Sequence, residues 1–246
     1  MATGTAIVVA SGKGGTGKTS LTGGIAACLA RLERKVLCID MDIGLRNLDI
    51  SLGMSDRVLM DFSDVVEGRC TLDRAAVSHP DLPGLHLLTA PIRLPDSVDE
   101  RGIAALLDEA RQQFDYILLD APAGLDAGFR LAACAADRAI VVATNDASSL
   151  RDAQRAVGEL NHIKQVHLVV NRVQPKLLRR LRTTIDDAMD TAGLPLLGVV
   201  PEDPKVVLAA NRGKPLILTG RRGAANACLN IAKRIEGHRA PIMRIR

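Results

Sequence analysis

Short aliphatic runs alternate with stretches of helical period along most of the 246-residue chain. Residues 5–10, 35–41, 85–90, 116–121, 139–143, 166–170 and 196–200 are largely continuous and apolar, as strands buried on both faces should be. After the first run, Leu21, Ile25, Cys28, Leu29 and Leu32 recur at helical spacing, and the same period runs through 98–113, 146–162 and 177–192. This alternation predicts an α/β fold with three layers: a doubly wound, mostly parallel sheet carrying helices on both faces. No repeat, low-complexity stretch or linker interrupts it, so 1–246 reads as one domain with a short basic tail over 237–246.

In such a fold the ligand lies beyond the C-terminal ends of the strands, and three of those ends carry chemistry. The first opens into Gly12-Lys13-Gly14-Gly15-Thr16-Gly17-Lys18-Thr19-Ser20, where Gly12, Gly17, Lys18 and Thr19 satisfy G-x-x-x-x-G-K-[ST]. A loop of this pattern wraps backbone N–H groups around nucleotide phosphates, adds a lysine charge and offers a hydroxyl to Mg²⁺. The strand before it and the amphipathic helix after it supply the required context. Gly23 and Gly24 inside that helix cost roughly 1 kcal/mol each relative to alanine and read as close-packing positions against the sheet.

The second end is Asp40-Met41-Asp42, two carboxylates one residue apart. The third is Asp120-Ala121-Pro122-Ala123-Gly124, in which Asp120 has the form of an acid holding Mg²⁺ through water and Gly124 that of a backbone N–H near the γ-phosphate. A lone aspartate at a strand end usually caps a turn or helix. Behind a sound phosphate loop the metal role is favoured.

Composition narrows the setting. Hydrophobic residues make up 47 %, yet no apolar stretch approaches the ~18–20 residues of a membrane span. The first strand begins almost at once, leaving no room for a signal peptide. Five cysteines without a C-x-x-C pair suit reduced thiols in a cytoplasmic protein, and the five histidines show no metal spacing. The net charge of +4 is uneven, because nine Lys and Arg from Arg212 onward face the single acid Glu236. Such a tail reads as a solvated helix face or as a contact for anionic lipid or nucleic acid.

Lys13 is an additional lysine just after the first glycine of the loop. With it, the segment resembles the deviant Walker-A ATPases, the ParA/MinD superfamily. That resemblance implies a P-loop NTPase fold of the SIMIBI type and an ATP hydrolase that dimerises on ATP. It also implies that Lys13 reaches across the dimer to the partner's nucleotide, a trans charge of the kind arginine fingers supply. Residues 40–49, 120–124, 148–152, 198–203 and 209–215 resemble the MinD branch, which places the bacterial division septum, and the likeness runs over residues 4–236.

Carried over residue by residue, the family implies that Gly14, Gly15, Thr16, Gly17 and Lys18 cradle phosphates, with Gly12 and Ser20 bounding the loop. Thr19, Asp40 and Asp120 would hold Mg²⁺, and Asp42 would position the attacking water. Asn171, Arg172, Pro201, Glu202 and Asp203 would flank adenine. With no Trp, three Phe and one Tyr in the chain, polar and backbone contacts should recognise the base. The family's partners are MinE- and MinC-type proteins, and the activator is implied to dock around Ser148, Ser149, Arg151 and Asp152.

The tail departs from the family, whose members usually end in an amphipathic helix that binds membrane when two copies join. Here Gly237 and Pro241 precede only five residues, and Ile242, Met243 and Ile245 could bury little in a lipid interface. Contact with anionic membrane is therefore expected to be weak at most. A ParA-type DNA-partition ATPase is the alternative, supported by Lys176, Arg179, Arg180 and Arg182. The MinD-like switch segment argues against it and against DNA as a partner. A MinD-like flagellar-number regulator shares most of these motifs but carries an extra N-terminal segment.

Overall fold

A computed structural model describes residues 3–243 apart from 56 and 58. Its first half runs β1 (Thr5–Ala10), α1 (Lys18–Arg31), β2 (Val36–Asp40), α2 (Leu48–Leu52), α3 (Phe62–Val66), α4 (Leu72–Ala75), β3 (Val77–His79), β4 (Leu82–Leu88) and α5 (Glu100–Gln113). The second half runs β5 (Tyr116–Asp120), α6 (Ala127–Ala133), β6 (Arg138–Thr144), α7 (Ala147–Glu159), β7 (Gln165–Val173), α8 (Pro175–Leu181), α9 (Ile185–Ala192), β8 (Leu196–Pro201), α10 (Lys205–Asn211) and α11 (Ala224–Ile235). The sheet order is β3-β4-β2-β5-β1-β6-β7-β8, and every pairing except β3 with β4 is parallel.

Alternation along the strands divides the core into two layers. Ala6, Val8 and Ala10 of β1 face a core that includes α5, α6 and α7, while Ile7 and Val9 face one that includes α1 and α11. β1 lies between β5 and β6. The chain winds one way from it to β2 and later crosses to the other side, which opens a crevice at the end of β1. The doubly wound, mostly parallel architecture expected from the hydrophobic pattern is what the chain adopts.

Four local features differ from the pattern-based reading. β3, a three-residue antiparallel edge strand, is too short for a period-2 signal to emerge. The stretch 177–192 breaks into α8 and α9 because Arg182 turns left-handed at φ 54° and Thr184 caps the next helix through a reciprocal box with Asp187. Gly23 and Gly24 do serve close packing, but against helices rather than the sheet: a Cβ at Gly23 would press on α2, and one at Gly24 would lie 2.9 Å from Cys228 Sγ of α11. β7 continues past residue 170, so Asn171 and Arg172 lie within the strand, at a register shift against β8.

After α11 the described tail is not helical. The Arg234 Nη1 group donates to the Ala240 carbonyl at 3.2 Å, and Met243 packs on the α1/α11 core. Residues 244–246, including Ile245, lie outside the described residues. No described helix is long and apolar enough to cross a membrane.

Candidate active site

The loop after β1 is built to leave donors unmet. Gly15 and Gly17 adopt φ of 82° and 84°, open to glycine at little cost. At Gly17 a side chain is excluded twice, since a Cβ would also stand 2.5 Å from Asn171 Nδ2. From β7, Asn171 Nδ2 donates to Thr16 O at 2.8 Å and Arg172 Nη1 to Gly15 O at 3.0 Å. These bonds tie down loop carbonyls from one side. Among the described residues no N–H from Gly14 to Thr19 reaches a protein acceptor, and α1 has no side-chain cap. A helix start with a row of free N–H groups is an anion site.

Beneath the loop lies a buried ion pair. Lys18 Nζ donates to Asp120 Oδ1 at 2.9 Å, and the Thr22 hydroxyl lies 3.0 Å from the same oxygen. The other oxygen, Asp120 Oδ2, is buried with no partner. Thr22, one helical turn beyond Lys18 on the inner face of α1, is absent from the phosphate-loop pattern, so only its spacing from Lys18 could have signalled it.

Asp40, at the end of β2, accepts the N–H of Asp42 at 2.9 Å on one oxygen and that of Leu48 at 3.0 Å on the other. Burial, and then the charge of Asp120, push its carboxyl up to about 6. Asp40 thereby clamps the segment between β2 and α2, which carries Asp42. Asp42 is half-buried, and its pKa is also raised, chiefly by burial, with Lys18 opposing. Asp42 and the phosphate loop wall one recess of about 420 Å³, together with Leu45, Asn47 and Ala123. Gly124 takes φ 97° with open space where a Cβ would stand.

Gly12 has a different task from its neighbours. A Cβ there would lie 2.1 Å from the Asp152 carbonyl of α7, so this glycine lets loop and helix approach. Lys13 is about half exposed. Its Nζ donates to Ser148 Oγ at 2.9 Å and stands 3.8 Å from Asp146 Oδ1, at the N-terminus of α7. Ser149, grouped with Ser148 as a docking residue, is 2 % exposed, and its hydroxyl accepts from the Thr144 N–H at 3.0 Å. That side chain holds the start of α7 together and is not available to a partner. Arg151 is exposed, and Asp152 pairs with Arg155 at 3.5 Å.

A cavity of about 210 Å³ adjoins the loop, bounded by Gly17, Asn171, Arg172, Pro201, Glu202 and Asp203. Arg172 Nε donates to Glu202 at 2.8 Å across it. Asp203 accepts the N–H groups of Lys205 and Ala224, each at 3.0 Å, fixing the starts of α10 and α11. The polar rim was expected. The aliphatic lining of Leu21, Val200, Val206 and Leu216, with Cys228, was not, because these residues read only as core.

Among the described residues no three His, Cys, Asp or Glu side chains form a metal cluster by themselves. Mg²⁺ bound with a nucleotide needs only one or two protein ligands besides phosphate and water. The unpartnered Asp120 Oδ2 and the Thr19 hydroxyl fit that demand, and Asp40 keeps a spare lone pair on each oxygen.

The winding of the sheet and the donor-rich loop define a P-loop nucleotide-binding protein. A family model described as the CobQ/CobB/MinD/ParA nucleotide binding domain matches residues 7–216. The septum site-determining protein MinD of Synechocystis is 40 % identical over 242 residues, covering 96 % of this chain and 91 % of that protein. The MinC:MinD cell division complex of Aquifex aeolicus superposes with a TM-score of 0.91 at 38 % identity, covering 98 % of this chain and 99 % of that one. MinD of Pyrococcus horikoshii, solved with Mg-ADP, gives 0.82 at 28 % identity over 94 % of this chain and 96 % of that one. The chain belongs to the ParA/MinD family of P-loop ATPases, on its MinD branch.

Proposed function

We propose that this protein is a Mg²⁺- and ATP-dependent dimerising ATPase switch acting in division-septum placement. The observation that carries the reading is the separation of two lysines on one loop. Lys18 is buried on Asp120, whereas Lys13 sits half exposed at the rim, held only by Ser148 and a distant Asp146. A buried lysine serves its own nucleotide; one on the rim, held by one hydroxyl and a half-exposed carboxylate at 3.8 Å, can be released to serve a second copy's.

The N–H groups of Gly14 to Thr19, with Lys18, hold the phosphates. Thr19, Asp40 and Asp120 would hold Mg²⁺, which when bound would offset the charge that develops on the phosphate oxygens. Asp42 orients the attacking water, and phosphoryl transfer requires an oriented nucleophile more than covalent help. Asn171, Arg172 and Pro201 to Asp203 frame the base over the aliphatic floor. MinC- and MinE-type proteins are the expected partners, the latter reaching Ser148, Arg151 and Asp152.

Sedimentation velocity with ATP and with ADP tests this. ATP should give a dimer and ADP a monomer. Asp42→Ala should hold the dimer with turnover reduced at least ~10²-fold, in the range of a lost positioning group. Lys13→Gln should abolish both dimer and cleavage while the monomer still binds ATP. A Lys13→Gln protein that dimerises and hydrolyses ATP like the parent would refute the assignment.

A further inference from the structure

At the end of the sheet opposite the phosphate loop lies a cavity of about 370 Å³. The first residues of three neighbouring or near-neighbouring strands, Tyr116 of β5, Arg138 of β6 and Gln165 of β7, open onto it. His167 lies further along β7, and Arg234 and Glu236 come from the end of α11. Both arginines are half-buried.

Arg138 Nη1 donates to the Ile235 carbonyl at 3.2 Å. Arg234 donates to the Leu196 and Ala240 carbonyls, each at 3.2 Å. A guanidinium has five N–H donors, so most remain unspent. Among the described residues neither arginine pairs with a carboxylate. Glu236 does not fill that place, because its carboxylate is taken by Arg34, with His238 at 3.9 Å. Two guanidiniums that line one cavity with no carboxylate partner give it a positive potential, which favours an anion there.

We propose that this cavity is a second anion site, in which Arg138 and Arg234 hold a phosphate group and Gln165 and Tyr116 supply neutral donors. Two guanidiniums arriving from different elements match a dianion better than a carboxylate, and their planar forks suit its tetrahedral oxygens. The volume admits a phosphomonoester as well as free phosphate. The phosphate could come from solution or from the headgroup of phosphatidic acid. The site is remote from the nucleotide loop and does not rest on the function proposed above.

His167 provides a local readout. Burial, then the charges of Arg138 and Arg234, hold its pKa below the ordinary value. Tyr116, Glu236, Arg34, Asp115 and His238 are further ionisable groups at this end, and Glu236 and Arg34 offset each other. An anion between the arginines should therefore raise the His167 pKa.

The test is an NMR titration of His167 in the full chain saturated with Mg-ADP, comparing inorganic phosphate with chloride at equal ionic strength. Phosphate alone should shift the titration upward, and Arg138→Gln with Arg234→Gln should remove the shift. Arg138→Lys with Arg234→Lys, which keeps the charge, should retain part of it. Sedimentation with vesicles of phosphatidylcholine, with and without phosphatidic acid, separates the sources. Pelleting that needs phosphatidic acid and both arginines assigns the lipid headgroup; a response to free phosphate without pelleting assigns a soluble ligand. If chloride and phosphate act alike on the parent protein and the arginine pair does not alter pelleting, the site does not exist. The comparison of anions on the parent chain stands even if the double variant fails to fold.

Discussion

Lys18 and Asp120 are bound to each other before any nucleotide arrives, so changing one residue tests two properties. Removing a single member of a buried ion pair leaves the other charge uncompensated, at a cost of about 3–5 kcal/mol. Lys18→Met should therefore lower the stability of the nucleotide-free protein by that order, as read by urea unfolding, and also abolish nucleotide binding. Adding Asp120→Asn should restore most of the stability and none of the binding, since the amide keeps a partner in Thr22 while the phosphates still lack their lysine. Equal stability of the single and double variants would show that Asp120 is neutralised by some other means. Lys13 presents the opposite case. It is half exposed and bonded to one hydroxyl, so its removal should leave unfolding nearly unchanged, within about 0.5 kcal/mol for an exposed site.

At the scale of elements, the phosphate loop is held between β7 and α7, and the two contacts differ in kind. β7 ties the loop with side-chain hydrogen bonds from Asn171 and Arg172, whereas α7 approaches it so closely that only Gly12 fits beneath the Asp152 carbonyl. Gly12→Ala should cost about 1–3 kcal/mol, the usual range for overpacking, and weaken nucleotide binding by displacing the loop. A thermal midpoint equal to the parent's would place the clash elsewhere. Much of this architecture is legible in the sequence, because strand ends, glycine loop and helix period are local signals. Asp40, Asp42 and Asp120 stand out as carboxylates at the ends of aliphatic runs. What escapes is carried by distance along the chain. Nothing near Lys13 predicts Ser148, 135 residues away, as its partner, and nothing near Val206 marks it as a wall of the cavity beside the phosphate loop. The left-handed turn at Arg182 hides for another reason, since Arg has no preference for that conformation and the apolar period of Leu177, Leu178 and Leu181 continues beyond it through Ile185, Ala188 and Met189. Ser149 misleads because a buried hydroxyl that holds a helix start has the same letter as an exposed one.

Over the whole molecule, the response to acid depends on which groups the fold keeps neutral. His79 is 2 % exposed; its Nδ1 accepts the Asp81 N–H at 3.0 Å, so Nε2 carries the proton and donates to Leu52 O at 3.0 Å. His86 stands edge-on to Phe114, with ring centroids 5.2 Å apart, and His167 faces two arginines. Burial lowers the pKa of all three, with Arg138 and Arg234 contributing at His167. A histidine kept neutral in the fold binds its proton more readily once unfolded. Each therefore contributes stability that is present above about pH 6.5 and is lost as the pH falls below that value. Asp40 acts in the opposite sense. Its carboxyl, raised to about 6, is more easily protonated in the fold, so acidification relieves the cost of burying its charge. That relief has its midpoint near pH 6, about half a unit below that of the unfolded histidines, and one carboxyl opposes three imidazoles. The thermal midpoint of the nucleotide-free protein should therefore fall as the pH goes from about 7 to about 6, and fall less steeply once Asp40 begins to protonate. Differential scanning calorimetry across that interval measures it. A midpoint that stays level or climbs between about pH 7 and 6 would mean that the three imidazoles are solvated well enough to titrate as they do in the unfolded chain.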